Sequence, residues 1–327
     1  MRKIFAIVVI ILFGLTNCNI QKNREFQPDK MKEPYHPFKS NEAKETYLTY
    51  YDEHAKQWPI ASEFKMVETS FGQTFVRISG PEDGPPLVLL PGDSENSLAW
   101  IPQIAALSVD YRTYALDHIF DNGRSIYTRP MEKPGDFVQW LDELFTALEL
   151  DSINLVGFSY GGWQASLYAL AYPQRLNKLI LIASVGVLPA RLEVLVRGMI
   201  YYFIPTSFIV RRYLYWYNAD AVKKDETSRE AINNMVNEAL LSFKCFKRRK
   251  FVPPTVLTDQ DWQSLEVPTL FLVGENEVTY SAQKAIRRLN GVAPEVKTEI
   301  TPDAGHDLAI VKTEWVNNEV LKFLTNQ

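Results

Sequence analysis

The chain has 327 residues, of which 46% are hydrophobic and 23% charged. This is an ordinary globular composition that excludes disordered and collagen-like classes and allows one substantial core. Its net charge of −4 lacks the basic excess that electrostatic binding of nucleic acid requires, so nucleic acid is not an expected partner.

At the N-terminus, Arg2 and Lys3 precede an uninterrupted apolar run from Ile4 to Phe13, followed by Leu15-Thr16-Asn17-Cys18. The run is short for a bilayer span and fits the apolar region of a signal peptide. The LTNC tetrapeptide resembles the lipobox of bacterial lipoproteins, which implies residues 1–17 as signal peptide, a diacylated Cys18 as the mature terminus, and attachment to the membrane outside the cytosol through that lipid. Asn17 departs from the Gly or Ala commoner there, and a plain secretory signal or an uncleaved anchor is the alternative. The other cysteine is Cys245, so a lipidated Cys18 leaves no disulfide framework. Residues 18–40 are polar, carry Pro28, Pro34 and Pro37, and read as a tether.

The globular part is expected from Asn41. Asn41 to Lys56 reads as a helix ending at Trp58-Pro59. Phe64 to Ser70 and Thr74 to Ser79 alternate around Phe71-Gly72-Gln73, a hairpin signature. Short apolar runs follow at Leu87 to Leu90, Thr113 to Leu116, Ile153 to Val156, Leu179 to Ala183 and Leu270 to Val273. Such runs suit strands buried on both faces. The intervening Asp136 to Leu150 and Ser281 to Leu289 carry helical spacing, giving a mostly parallel, doubly wound α/β sheet. No buried strand is legible between Ala183 and Leu270. That interval reads as a helical cap inserted after the sixth strand, dividing the domain into a first core part (41–186), a cap (187–264) and a second core part (265–327).

Ser159 lies in Gly157-Phe158-Ser159-Tyr160-Gly161, directly after the strand Ile153 to Val156 and directly before a helix, Tyr160 to Ala171. So tight a turn needs flanking positions nearly free of side chain, which Gly157 and Gly161 supply, with Gly162 easing the approach of helix to sheet. Here the sequence resembles the α/β-hydrolase superfamily, whose nucleophile elbow is G-x-S-x-G, over about Phe64 to the C-terminus. With Trp58-Pro59-Ile60, Arg112-Thr113-Tyr114-Ala115 and Gly274-Glu275-Asn276-Glu277, it looks most like the bacterial carboxylesterases of that superfamily.

The resemblance implies a role for each site residue. Ser159 is the nucleophile. His306, in Asp303-Ala304-Gly305-His306-Asp307 after a last strand Glu295 to Ile300, is the base. The family pattern G-x-x-D places the acid at Glu277, with Glu275 a rival. The order Ser159, Glu277, His306 is the superfamily order of nucleophile, acid and base. Of the other histidines, His36 lies in the tether, His54 in the first helix, and His118, after a strand end, reads as structural or as cleft wall.

The oxyanion hole is expected from the backbone N–H groups of Tyr160 and Asp93. Pro91-Gly92-Asp93 departs from the usual His-Gly-x, and the Asp93 carboxylate is expected to turn toward the N-terminus of a helix beginning near Asn96. Dehalogenases and epoxide hydrolases of this fold use aspartate in place of Ser159 and are excluded.

The implied activity is hydrolysis of a small-molecule ester, with no cofactor and no metal; oligomeric state is left open. A ligand-binding sensor of the same fold, a peptidase or a C–C bond hydrolase is the alternative. In the cap, Ile200 to Phe203 and Tyr213 to Tyr217 are dense in aromatics and suit an apolar acyl or aryl pocket. Lys244 to Lys250, KCFKRRK, reads as a solvated helix face, or as a contact for anionic headgroups.

Overall fold

The computed structural model describes residues 37–325. The signal-peptide, Cys18 and His36 expectations lie outside these residues.

Where the sequence shows apolar runs, the chain forms one nine-stranded sheet. It begins with α1 (Asn41–Ala55), capped by the Ser40 side chain, which accepts from the Ala43 N–H. The hairpin β1 (Ser62–Thr69) and β2 (Gly72–Ser79) follows, then β3 (Pro86–Leu90), α2 (Ile101–Leu107) and β4 (Arg112–Leu116). A two-residue β5 (Ile126–Tyr127) precedes α3 (Pro134–Ala147), β6 (Ile153–Phe158), α4 (Tyr160–Ala171) and β7 (Leu176–Ile182). Four cap helices come next: α5 (Leu192–Phe203), α6 (Ser207–Tyr217), α7 (Ala219–Lys224) and α8 (Glu226–Cys245). The chain re-enters the core through α9 (Asp259–Gln263), β8 (Thr269–Gly274), α10 (Ala282–Val292), β9 (Lys297–Thr301), α11 (Leu308–Val311) and α12 (Thr313–Thr325).

The strand order is β1-β2-β4-β3-β6-β7-β8-β9, antiparallel between β1 and β2 and between β2 and β4, and parallel from β4 onward. Since β3 has β4 on one side and β6 on the other, the winding reverses at the β3–β6 pair, and the carboxyl ends of these two strands are where an open α/β sheet places its site. Their sequences explain the burial. Leu87 and Leu89 of β3 belong to one apolar layer, Val88 and Leu90 to the other, and all four are fully buried. A strand covered on both faces must be apolar at successive positions.

Two expectations are revised. The cap follows the seventh strand, because β5, which touches only Gly72 and Gln73 of β2, is too short to leave a period. And residues 37–40, read as the end of the tether, belong to the fold. Phe38 is 2% exposed, bridges Phe246 in antiparallel fashion and packs its ring tilted against it at 4.3 Å; Lys39 N–H donates to Cys245 O and Lys247 N–H to Pro37 O. Phe38→Ala is therefore expected to cost about 3 kcal/mol in urea unfolding, as for a buried phenylalanine. A tether residue would cost nothing.

Candidate active site

Ser159 leaves β6 and enters α4 with φ 51° and ψ −111°, a strained conformation for a residue with a side chain, held by the structure around it. A Cβ on Gly157 would stand 2.5 Å from Gly161 O, and one on Gly161 would stand 2.4 Å from Pro91 O. Neither position admits a side chain, and the second shows how closely the loop after β3 runs against the elbow.

The structure brings Ser159, His306 and Glu277 together. His306 Nε2 lies 2.9 Å from Ser159 Oγ, and its Nδ1 lies 2.9 Å from Glu277 Oε2 and 3.1 Å from Oε1. With Nδ1–H donating to the carboxylate, Nε2 is left to accept the serine proton. All three residues are buried. Glu277 is fixed by the Thr279 N–H, which donates to Oε1 at 2.7 Å, whereas Glu275 is exposed. The histidine loop is fixed by Asp307, whose carboxylate accepts the Ala221 N–H of α7 at 2.6 Å and the Gly305 N–H at 3.2 Å. Burial acts to lower the His306 pKa, but the Glu277 carboxylate and its hydrogen bond, with Glu95 and Asp307 in support, outweigh it and hold the imidazole above its ordinary value. This array can move a proton from a hydroxyl to an imidazole whose cation is stabilised in advance.

In the loop after β3, three N–H groups are already engaged: Gly92 donates to Glu95 Oε2 at 2.9 Å, Ser94 to Asp121 Oδ2 at 2.6 Å and Glu95 to Gly92 O at 3.4 Å. Among the described residues the Asp93 and Tyr160 N–H groups meet no protein acceptor. Tyr160 opens α4, where amides are orphaned and the helix dipole is positive.

The Asp93 side chain does not cap the next helical turn. Asn96 does so itself, its Oδ1 accepting the Leu98 N–H, while Asp93 Oδ1 accepts from Arg249 Nη2 at 2.5 Å. Arg249 also meets Asp121 at 3.0 Å; burial pushes the Asp121 carboxyl above its ordinary value, and the Arg249 guanidinium pulls it back down. This corrects the reading of Lys244 to Lys250 as a helix face: α8 ends at Cys245, Phe246 is buried, and Arg249 turns inward to the acidic pair. Glu95 escaped the sequence reading. Burial raises its pKa to about 7, close enough to His306 for the two to interact.

His118 is structural. Its Nδ1 accepts the Phe120 N–H, its Nε2 lies 2.6 Å from the Gln164 amide, and burial, with Arg249 adding to it, drives its pKa to about 3. The cap aromatics divide into two sets. Tyr201 stacks on Tyr213 at 4.7 Å, Tyr213 on Tyr217 at 5.6 Å, and Tyr217 lies 4.6 Å from the His306 ring. Phe203 faces solvent.

The profile of a family described as alpha/beta hydrolase fold matches residues 85–313. The chain belongs to that family. It is similar to the carboxylesterase YbfK of Bacillus subtilis, at 34% identity over 84% of this chain and 92% of that one. Among solved structures it resembles the carboxylesterase CesB (YbfK) of Bacillus subtilis, with a TM-score of 0.77 at 32% identity over 87% and 99% of the two chains. It also resembles the naproxen esterase (carboxylesterase NP) of Bacillus subtilis, with a TM-score of 0.80 at 30% identity over 88% and 100%.

Proposed function

We propose that this chain is a serine carboxylesterase that cleaves small to medium esters with apolar acyl or aryl groups through an acyl-enzyme on Ser159. The observation that carries the reading is the continuous path from Ser159 Oγ through His306 to the buried Glu277 carboxylate. Relatives named as carboxylesterases over most of the chain support it.

In this reading His306 Nε2 takes the Ser159 proton as Oγ bonds to the ester carbonyl carbon. The carbonyl oxygen becomes an oxyanion facing the Tyr160 and Asp93 N–H groups. The intermediate expels the alcohol, which leaves with the proton from His306, and a water that gives its proton to the same imidazole releases the acid and restores Ser159. Glu277 orients the ring and stabilises its cation. The tyrosine row from Tyr201 to Tyr217 supports an apolar acyl or aryl group beside the imidazole. A panel of p-nitrophenyl acetate, butyrate and longer esters tests the activity, with turnover expected across it; failure on every member would refute the reading and leave a ligand-binding protein of the same fold.

The oxyanion assignment separates backbone from side chain. Asp93→Ala keeps the N–H and is expected to leave kcat within about threefold, whereas Asp93→Pro removes it and is expected to lower kcat about 10²- to 10³-fold, the worth of one such donor. Stopped-flow ester hydrolysis measures both. Equal effects would move the donor elsewhere.

For the N-terminus, the proposal is a lipoprotein signal ending at Asn17 and a lipid on Cys18, supported by Arg2-Lys3, the Ile4 to Phe13 run and the LTNC tetrapeptide. The wild type is then expected in the membrane fraction with a diacylated mature terminus, and Cys18→Ser is expected to carry no lipid. Mass spectrometry of the mature terminus checks this; an unmodified Cys18 would exclude it.

A further inference from the structure

The first cap helix carries its apolar stripe on the outside. Leu192, Leu195, Val196, Met199, Ile200 and Phe203 of α5 fall at helical spacing on one face, every one is exposed, and no residue of α5 is buried. Phe208, at the start of the next helix, is also exposed, at 71%. A stripe at this spacing ordinarily faces a core, and a contiguous exposed one marks a contact surface.

Charge selects the contact. Residues 191–217 hold four arginines, Arg191, Arg197, Arg211 and Arg212, against the single acid Glu193, which is bound by Arg197. Residues 244–250 add Lys244, Lys247, Arg248 and Lys250 and no acid, Arg249 being turned inward to Asp93 and Asp121, and Arg248 lies over the Tyr202 and Phe203 rings. A basic rim around an apolar stripe, in a chain whose net charge is −4, fits an anionic lipid surface. A second copy would set the same arginines against each other across a twofold axis. Independently, the chain enters the fold at this rim: Pro37 and Lys39 bond to Lys247 and Cys245, next to Arg248.

We infer that the outer face of α5, with Phe208, seats the cap on an anionic bilayer. Tyr201 of the same helix begins the ring row that ends on His306, so a face in the lipid lies over a path from lipid to imidazole. Esters dissolved in the bilayer are then the substrate class, a step that rests on the esterase reading.

The test uses the full chain with Cys18→Ser, which removes the proposed lipid so that docking by the cap is read separately from anchoring. Phe203→Cys, Phe208→Cys and, as control, Val109→Cys are labelled with an environment-sensitive dye, Cys245 being buried. Val109 is 69% exposed and precedes β4, at the end of the sheet away from the cap. With anionic vesicles carrying brominated lipid, the dyes at 203 and 208 are expected to lose about half their emission, matching a depth of about 5 to 10 Å, and the dye at 109 none.

Quenching at 203 no greater than at 109 would overturn docking. So would a dimer by sedimentation, without vesicles, that Phe203→Glu and Phe208→Glu dissociate, since the face would then belong to a second copy. In a second arm, Leu195→Glu/Phe203→Glu/Phe208→Glu is expected to lose about tenfold in rate toward an ester in vesicles and to keep its rate toward p-nitrophenyl acetate in water. Docking in the first arm with no loss in the second would overturn the substrate step alone.

Discussion

Ser159→Ala is expected to lower kcat/KM for p-nitrophenyl butyrate at least about 10³-fold, because the variant keeps the orphan N–H groups but has no atom to form the acyl bond. The residual rate is what those donors and substrate positioning supply alone. Ser159 N–H donates to Ile182 O, and its carbonyl accepts from Gly162, Trp163 and Val185, so the strained backbone is held by bonds the substitution leaves intact. The fold is therefore expected to unfold at the wild-type urea midpoint. Steady-state hydrolysis beside the unfolding curve separates a chemical loss from a structural one. A rate within tenfold of wild type would remove Ser159 from the chemistry.

Glu277→Gln is the second large effect. An amide cannot stabilise the imidazolium and can present its NH₂ to Nδ1, favouring the tautomer in which Nε2 carries the proton and cannot accept one. The expected loss in kcat is about 10³- to 10⁴-fold, against less than about tenfold for the exposed Glu275→Gln. The pH profile carries a second signature. In the wild type Glu277 holds His306 above its ordinary value against burial, and in the proposed mechanism the imidazole acts as base only when neutral, so kcat/KM is expected to fall as pH drops through that raised value. Removing the charge leaves burial dominant and moves the acid limb to lower pH while the plateau falls. The reverse ranking of the two glutamates, or an acid limb that stays in place, would assign the acid elsewhere.

The residues that could be read without a structure are those whose neighbours are close in sequence. Ile153 to Gly161 announces a strand, a sharp turn and a helix because each needs a different local composition, and the helix Tyr160–Ala171 falls where its sequence places it. Leu87 to Leu90 reads as a doubly covered strand for the same reason. Glu277 and His306 were legible through their slots after β8 and β9.

Groups defined by tertiary contact were not legible. Arg249 is one cation in a basic run until it is seen to meet Asp93 and Asp121 from 156 and 128 residues away. The Glu95 carboxylate matters because the loop folds it back onto the Gly92 N–H; a glutamate three residues after that glycine was the only signal. The cap aromatics could not be sorted from the pattern, because helices exposed on one side and half-buried on the other spread rings over both faces.

The most direct test of acyl transfer through Ser159 is to treat the wild type and Ser159→Ala with a fluorophosphonate and map the adduct by peptide mass spectrometry. One stoichiometric adduct is expected, on the peptide that contains Ser159, and none in the variant. An adduct on another residue of the wild type, or one that persists in Ser159→Ala, would contradict acyl transfer through Ser159.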